Sequence, residues 1–591
     1  MNTSMFYGRK RSQAVDTGLV LPCDNSEDEL DASDEENEED RLVNEGDIDE
    51  ESDHESDQGA EQRHEEEEEE PPFIKAKDLT WRAVTKTIPP VPQWKASFPL
   101  PLEVKAPVDY FRQLTQEATE IMVTQTNLYA SQCDINKPFN VTSKEMEQFI
   151  GIAQYMGIFS FPTTRLYWST AARVDCIANT MSVNRWETIK RYLHFNNNEE
   201  QVPAGHPGYD RLFKLRPLLT ALKSSFNTVP MQEMLCVDEQ IVPFKGKSGI
   251  KQYNPKKTKR WGYKIFVLAD CHGIVHNFKV YTGTITQAEG MPDIGASGNI
   301  VLQLCAVIPK NQSFKLFFDN WFCGIDLQVQ LEKMKIHSVG TVRPSRLPNC
   351  TFSDDKIMKT KGRGAFEEKV TKHDGVSLRA VKWHDNRSVH LLSTFAAAHP
   401  TTKVKRWDKK TQQMVEVERP NIVSIYNKSM GGVDLLDSMV ALYRTKVRSK
   451  KWYHRLFFHM MDMAMVQAWL LYRRDSTSSG VDQTAQLSLL AFKSEVASCL
   501  CKTDSFCSKR GRPSLSVQAG LDLKRRRGPT APVPPAPVRL DRIDHWSVYS
   551  ENRGRCKYPG CNGIIKVKCM KCDVFLCHTP DRNCFFSFHT K

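Results

Sequence analysis

Four aspartates occur in three short stretches that are far apart in the chain and that are either apolar or contain a glycine pair. Asp238 lies in LCVDEQIVPFKG, Asp319 in FKLFFDNWF, and Asp434 and Asp437 in YNKSMGGVDLLD. The first two occur at the ends of β-like runs. The last two are three residues apart in a helix-like run and therefore share a helix face. Carboxylates that converge from two strands and a helix would suit two Mg²⁺ (or Mn²⁺) ions, which stabilise the attacking and leaving oxygens of phosphoryl transfer.

Spacing alone leaves an ordinary alternative for each aspartate. Aspartate at a strand end is often a turn residue, and aspartate in the first turn of a helix is favoured by the helix dipole. The surrounding sequence is more specific, because VDEQIVPFKG, FFDNWF and YNKSMGGVDLLDSM resemble, in this order, blocks of piggyBac-type transposases. Three further blocks do so as well: HFNNNEEQVPAGHPGYDRLFKLRPLL, KQYNPKKTKRWGYKIF and VGTVR. The resemblance extends from about Pro107 to about Tyr472 and resumes in the C-terminal cysteine cluster.

This resemblance implies a cut-and-paste DNA transposase or a domesticated derivative of one. It implies that Asp238, Asp319 and Asp434 hold two Mg²⁺ (or Mn²⁺) ions and that Asp437 is a supporting carboxylate. It also implies hairpin-mediated excision, integration at TTAA sites, binding to terminal inverted repeats and a homodimer. The alternative is a catalytically silent derivative that acts as a sequence-specific DNA-binding chromatin or transcription factor. The presence of all four carboxylates favours retained chemistry.

The order of predicted elements suits an α/β fold with an RNase H-like core. From about Gln232 the pattern becomes strand-like, in the succession β-β-β-α-β-α-β, with Asp238 on the first strand and Asp319 on the fourth. We predict this core at 231–343 and, with the third carboxylate, at 421–475. We predict a helical region at 106–230, to which the resemblance assigns dimerisation and DNA binding. Because 115 residues separate Asp319 from Asp434, we predict a separate insertion domain at 344–420.

The formal charge of +10 conceals two regions of opposite sign. The stretch from Asp24 to Glu70 holds 26 acidic residues against Arg41 and Arg63, a net charge of −24, so the rest of the chain carries +34. Such a basic remainder predicts a polyanionic partner, most simply double-stranded DNA. Residues 1–105 are predicted to be a disordered acidic segment followed by a proline-rich lead-in.

Basic segments are predicted to contact the DNA. In KGKSGIKQYNPKKTKRWGYK, cations alternate with Tyr253, Trp261 and Tyr263, which suits phosphates and unstacked bases. The alternative is an ordinary basic loop whose aromatic residues lie in the core. Trp321, next to Asp319, either stacks near the scissile base or packs beneath the site. The predicted DNA-binding residues of the folded regions are Lys251, Lys256, Lys257, Lys259, Arg260, Arg343, Arg444, Arg448 and Lys451.

Residues 476–550 are predicted to be a basic linker rich in serine and proline. Within it, Arg510 and Arg512 lie in RGRP, the core of an AT-hook that would place two arginines in a narrow minor groove. The run LKRRRGP at 523–529 predicts nuclear import, and hence a nuclear protein. A plain linker is the alternative for both. The apolar run at 456–472 contains polar residues and predicts a buried helix, so we expect no membrane partner.

Residues 551–591 are predicted to form a small domain that holds two Zn²⁺ ions. A disulfide framework is not expected, because the other eleven cysteines are scattered singly, as in a reduced intracellular protein. The resemblance implies a cysteine-rich domain that binds terminal repeat DNA, whereas the residues alone would also suit a RING or PHD finger. The predicted ligands are Cys556, Cys561, Cys569, Cys572, Cys577, His578, Cys584 and His589, of which His578 directly follows Cys577.

Overall fold

The computed structural model describes residues 79–84, 88–96, 103–136, 139–254, 260–408, 411–502 and 533–590 of the chain. Most of the predicted acidic and proline-rich region at 1–105 lies outside these residues. Arg510, Arg512 and the predicted import signal at 523–529 also lie outside them, as do Lys256, Lys257 and Lys259. The predictions made for those residues therefore stay predictions.

The strands of the described residues are β1 (Arg82–Ala83), β2 (Met234–Pro243), β3 (Gln252–Tyr253), β4 (Trp261–Asp270), β5 (Val275–Val280), β6 (Lys315–Phe318), β7 (His337–Thr341), β8 (Phe366–His373), β9 (Val376–His384), β10 (Ser388–Ser393), β11 (Thr402–Asp408), β12 (Gln413–Arg419), β13 (Ser547–Arg555) and β14 (Ile564–Cys569).

The α-helices are α1 (Pro107–Cys133), α2 (Ser143–Ile158), α3 (Asp175–Ala178), α4 (Val183–Tyr192), α5 (Arg216–Asn227), α6 (Ala296–Cys305), α7 (Ile325–Lys333), α8 (Asp355–Lys361), α9 (Asn421–Ser429), α10 (Gly432–Leu442), α11 (Trp452–Ser478), α12 (Leu489–Cys501), α13 (Ala536–Arg539) and α14 (Cys584–Thr590). Short 3₁₀ turns occur at Thr164–Trp168, Asn198–Glu200, Phe213–Leu215 and Pro344–Arg346.

One ten-stranded sheet organises the protein. Its order is β1-β8-β9-β10-β7-β6-β2-β4-β3, and β5 also pairs with β4. The pairs β2–β6 and β6–β7 are parallel, whereas β2–β4 and β4–β5 are antiparallel. The predicted succession of three strands, a helix, a strand, a helix and a strand is present as β2, β4, β5, α6, β6, α7 and β7, with the short β3 in addition.

The range 344–420, which we predicted to be a domain of its own, instead contributes strands to this sheet. Strand β10 pairs antiparallel with β7, with Leu391 opposite Thr341, and β9 and β8 follow outward. Within this range, β11 and β12 form a separate two-stranded hairpin. The physical reason is that β7 has a free edge whose backbone groups need partners, and β10 supplies them.

Two hydrophobic cores lie on opposite faces of the sheet. The larger contains side chains of α1, α2, α5, α10, α11 and α12 together with Cys236 and Val267 of the strands. The other contains side chains of α6 and α7 together with Leu235 and Val237. Because successive strand residues point to opposite faces, the apolar residues 235–237 of β2 contribute side chains to both cores.

Helix α11 runs through the larger core and is buried along most of its length, as its sequence predicted. Its polar side chains have specific partners: the Gln467 side chain accepts from Val275 N at 2.7 Å and donates to Val275 O at 2.8 Å. These bonds tie the helix to strand β5. Among the described helices, none is both long and apolar enough to cross a membrane.

A buried ion pair fixes the segment that follows α10. Lys493 Nζ on α12 lies 3.2 Å from Asp462 Oδ1 on α11, and both side chains are 3% exposed. Lys493 Nζ also donates to Tyr443 O at 2.6 Å, and Asp462 accepts from Thr445 N and Thr445 Oγ1, both at 2.8 Å. Tyr443 and Thr445 directly follow α10, so this network anchors the end of the helix that carries Asp434.

Replacing the cation of this pair should destabilise the protein. Lys493→Met is expected to lower the free energy of unfolding by about 3–5 kcal/mol, because the Asp462 carboxylate stays buried without its positive partner. Urea denaturation of the full chain measures the loss. Adding Asp462→Asn should recover part of it, because an amide is less costly to bury than a charge.

The matched control is Lys356→Met on α8, where the side chain is exposed. This substitution should change the free energy of unfolding by no more than about 0.5 kcal/mol. Equal losses for Lys493→Met and Lys356→Met would contradict the role given to the ion pair.

Candidate active site and metal centres

The parallel pairing of β2 with β6 brings two of the predicted carboxylates together. Val237 lies opposite Phe318, the last residue of β6, so Asp238 and Asp319 are the next residues along the two neighbouring segments. Asp319 follows the end of its strand, as predicted, whereas Asp238 lies in the middle of β2, because β2 continues to Pro243 through its pairing with β4. Neighbouring strands are about 4.8 Å apart, which places both side chains at the same edge of the sheet. Asp238 Oδ1 accepts from Glu239 N and Asp319 Oδ1 accepts from Trp321 N, each at 2.8 Å, so local backbone bonds orient both carboxylates.

Helix α10 brings the third carboxylate because its first turn packs unusually close to the sheet. A Cβ atom at Gly432 would lie 2.0 Å from Asp270 O and 2.8 Å from Cys236 Sγ, so only glycine fits at this contact. Asp434, two residues further, is exposed in the first helical turn, and Asp437 is half-buried one turn later. The glycine pair in the sequence therefore marks the close approach that carries Asp434 to the strand ends.

The electrostatics of Asp238 show that these acids act on one another. Burial raises the pKa of Asp238, and the negative charges of Glu239, Asp319 and Asp434 raise it further, to about 8. Hard divalent cations prefer such oxygen donors, and a cation would favour the charged form of Asp238, which burial and the neighbouring acids disfavour. The chemistry of the donor set therefore fits Mg²⁺ or Mn²⁺.

Tyr426, on α9, is a residue of this site that the sequence reasoning did not single out. Its hydroxyl lies 3.5 Å from Thr341 Oγ1 on β7. Burial raises the pKa of Tyr426, and the charges of Asp319 and Asp238 add to the rise, so the phenol stays neutral beside the acids. The available signal was its position at the start of YNKSMGGVDLLD, the stretch that contains Asp434.

The first predicted basic segment presents an aromatic pair at the end of a short hairpin. Tyr253 and Trp261 are 49% and 45% exposed, and their ring centroids are 4.7 Å apart. Lys251 Nζ lies 4.6 Å from the Trp261 ring and donates to Gly246 O at 3.0 Å. Arg260 is exposed beside them. These aromatic side chains are therefore accessible, whereas Tyr263 is buried in the larger core.

The second predicted basic segment is held against the helical region. Lys451 Nζ donates to Arg191 O at 2.6 Å, and Lys190 Nζ donates to Arg448 O at 3.2 Å. Arg444 is half-buried, whereas Arg448 is exposed. The segment therefore has both anchored and exposed cations.

Two residues near Asp319 have different surroundings. Trp321 stacks on Phe266 with ring centroids 5.6 Å apart, and Lys264 Nζ lies 4.5 Å from its ring, which matches the packing alternative. Arg343 is exposed just after β7, the strand next to β6.

The C-terminal region contains two compact groups of potential metal ligands. In each group the ligand atoms all lie within 4.8 Å of one another. One group is Cys556, Cys561, Cys577 and Cys584, and the other is His545, Cys569, Cys572 and His589. The pairs alternate along the chain, so the two centres are cross-braced around the hairpin β13–β14.

The structure corrects one predicted ligand. His578 lies outside both groups, and its Nδ1 is 3.2 Å from Asn583 Oδ1. His545 takes the fourth position instead, with Nδ1 3.4 Å from Cys569 Sγ and 3.5 Å from Cys572 Sγ. The sequence reasoning missed His545 because it precedes the assumed domain boundary at 551 and is 24 residues before Cys569.

The distances within both groups suit tetrahedral zinc. Ligand sulfurs that are each about 2.3 Å from one Zn²⁺ are about 3.7 Å apart, and Cys561 Sγ and Cys577 Sγ are 3.7 Å apart. Outer partners orient the imidazoles: His545 Nε2 lies 2.9 Å from Asp541 Oδ1, and His589 Nδ1 lies 2.7 Å from Phe585 O. Such partners fix the ring nitrogen that faces the metal.

Comparisons with known proteins agree with these observations. A family model described as Transposase IS4 matches residues 106–469. Human PiggyBac transposable element-derived protein 2 is 28% identical over 474 residues, which cover 78% of this chain and 74% of that protein. Human PiggyBac transposable element-derived protein 3 is 29% identical over 483 residues, which cover 81% of this chain and 75% of that protein.

A solved structure is similar in fold. The cryo-EM structure of a piggyBac transposase synaptic complex with hairpin DNA matches 80% of this chain and 97% of that chain, with a TM-score of 0.56 and 21% identity. The family model covers well over half of this chain and includes all four of the predicted site aspartates, Asp238, Asp319, Asp434 and Asp437. The chain therefore belongs to the Transposase IS4 family and, within it, to the piggyBac type.

Proposed function

We propose that this protein is a DDD-type DNA transposase that cleaves and joins DNA strands with divalent metal ions. The observation that carries the proposal is the register of β2 and β6, which places Asp238 beside Asp319 at one edge of the sheet. Asp434 adds its charge from the first turn of α10. The order and parallel pairing of β2, β6 and β7 support an RNase H-like core.

In this proposal the chain's own residues hold and orient the reacting groups. Asp238, Asp319 and Asp434 are the ligands of two Mg²⁺ (or Mn²⁺) ions, and Asp437 supports them. When bound, the ions activate the attacking oxygen and stabilise the leaving oxygen of the phosphodiester. Tyr426 contributes a neutral hydroxyl, and the backbone N–H groups of Glu239 and Trp321 fix the carboxylate rotamers.

The DNA is proposed to contact the accessible basic residues of the folded region. Lys251 and Arg260 lie beside the exposed Tyr253 and Trp261 rings, which offer surfaces on which unstacked bases can pack. Arg343 is exposed just after β7. Lys256, Lys257 and Lys259, which lie between β3 and β4 in the sequence and outside the described residues, would add to this charge. Arg444, Arg448 and Lys451, in the segment that follows α10, and Arg510 and Arg512 in the predicted linker would also contact DNA.

The remaining steps are proposed from the family. They are excision through hairpin intermediates, integration at TTAA sites and the action of a homodimer in the nucleus. The similar solved structure is a synaptic complex with hairpin DNA, which supports the hairpin step. The two cysteine-rich centres are proposed to hold one Zn²⁺ each and to shape a surface for the terminal inverted repeats.

A second candidate function is a domesticated DNA-binding protein without catalysis. The observation that favours it is that the similar human proteins are described as transposable element-derived. The two functions differ in what happens to the DNA after binding, so one experiment distinguishes them.

Replacing one strand-end carboxylate should abolish excision. Asp319→Asn is expected to lower excision of a cellular reporter by about 100-fold or more, because it removes a charge that holds the metal ions at the reacting phosphate. The reporter carries the repeats that border this coding region, and repaired donor sites are counted by sequencing.

Asp354→Asn is the matched control, because Asp354 is exposed and its side chain makes no capping bond to α8. It should excise at the parent level. If the parent protein binds the repeats but leaves the reporter intact, the transposase proposal fails and the silent DNA-binding protein takes its place.

The corrected ligand set predicts different effects for two histidines. His545→Ala should reduce bound zinc from one ion per centre to the Cys556-containing centre alone, whereas His578→Ala should keep both ions. The measurement is the zinc content of purified protein by mass spectrometry. Loss of zinc in His578→Ala with full zinc in His545→Ala would reverse the assignment.

A further inference from the structure

A cavity of about 450 Å³ lies at the open edge of the sheet, away from the carboxylates. It is formed by α5, β5 and α6, and Phe278 of β5 lines it. Strand β4 separates the cavity from the carboxylates: Phe278 on β5 lies opposite Val267 on β4, and Val267 lies opposite Asp238 on β2. Phe278 is therefore two strand spacings, about 10 Å, from Asp238. A cavity of this size can enclose most of a small ligand.

Three cations converge on this cavity from different elements. Arg216 and Lys223 are two turns apart on α5, and Lys279 projects from β5. Because the cations come from a helix and a strand that pack together, the fold fixes their arrangement. The one acid of the lining, Glu289, is exposed at the cavity rim.

The two lysines lack a negative partner. In the part of the chain that the structure describes, Lys223 Nζ has no hydrogen bond or ion pair, and Lys279 Nζ donates to the neutral Gln303 Oε1 at 2.5 Å. Burial lowers the pKa of both lysines, and Arg216 lowers both further. Arg216 is itself paired with Asp210, at 2.7 Å. Two half-buried ammonium groups therefore lie in a positive electrostatic field that no anion bonded to them neutralises in the described part of the chain.

We propose that this cavity is a binding site for a phosphorylated ligand, with Lys223 and Lys279 contacting the phosphate oxygens. Ammonium groups bind phosphate as point charges, and a charge-assisted hydrogen bond is shorter and stronger than a neutral one. The amides of Gln303 and Gln287 line the same cavity, where Gln303 Nε2 donates to Thr286 O and Gln287 Nε2 to Met291 O. Each amide carries a second N–H that can donate to a phosphate oxygen. The site is separate from the proposed strand-transfer chemistry and does not depend on it.

The same phosphate chemistry has two possible sources. One is a small phosphorylated molecule that the cavity encloses, and the other is a backbone phosphate of DNA that follows the sheet edge. Both would satisfy the lysines. They differ in whether duplex DNA competes for the site.

The test is calorimetric titration of the full chain with inorganic tripolyphosphate. The parent protein should bind it, and Lys223→Gln with Lys279→Gln should weaken binding by about tenfold or more, because two charge-assisted hydrogen bonds are lost. Lys223→Arg keeps the charge and should bind tripolyphosphate. A melting curve of each variant verifies that it is folded.

The control pair is Lys356→Gln with Lys359→Gln, which removes the same charge from exposed positions on α8. This pair should bind tripolyphosphate within about twofold of the parent. Absence of binding by the parent, or equal weakening in both pairs, would overturn the site. Once these variants have established the site, a competition experiment identifies the source of the phosphate. If duplex DNA displaces tripolyphosphate, the ligand is a DNA backbone phosphate. If tripolyphosphate stays bound in the presence of the duplex, the ligand is a small phosphorylated molecule.

Discussion

The parallel register between β2 and β6 is the constraint on which the site depends. A slip of one residue would turn every side chain of one strand to the opposite face and would separate Asp238 from Asp319. The register is held by the two cores, because Leu235 and Val237 enter one and Cys236 the other. The position of the carboxylates is thus set by apolar packing on both faces of the sheet.

The site gathers negative charge, which opposes folding until a cation is present. The raised pKa of Asp238 expresses this opposition, because burial and neighbouring acids disfavour its charged form. Contacts elsewhere hold α10 in place against this repulsion. Gly432 permits close packing of α10 on the sheet, and the Asp462–Lys493 pair anchors the end of that helix. Perturbed carboxylates of this kind are typical of functional sites.

Local patterns in the sequence were enough to predict the strands of the core and the positions of its aspartates. The core strands contain short apolar runs, LCV in β2, IFVLA in β4 and LFF in β6, which are typical of buried strands. At α4 the cap is Ser182, whose side chain accepts from Arg185 N. At α2 the cap is Thr142, because Thr142 and Glu145 bond reciprocally. Helix boundaries depend on one such side chain and are easily shifted by a residue.

The features that could not be predicted depend on contacts between distant parts of the chain. The pairing of β10 with β7 joins residues about 50 positions apart, and no local pattern shows which sheet edge a strand will choose. His545 becomes a potential zinc ligand only when the chain folds back to Cys569 and Cys572. Tyr426 reaches the acids through the same kind of folding, from α9 to β7.

The most direct measurement of the central claim is Mn²⁺ binding to the full, zinc-loaded chain, followed by electron paramagnetic resonance. The account predicts that the parent protein binds Mn²⁺ and that Asp238→Asn loses this binding, because the ions are held by Asp238 on β2 together with Asp319 after β6 and Asp434 on α10. Unchanged Mn²⁺ binding in Asp238→Asn would contradict it and would show that these aspartates do not form a metal site.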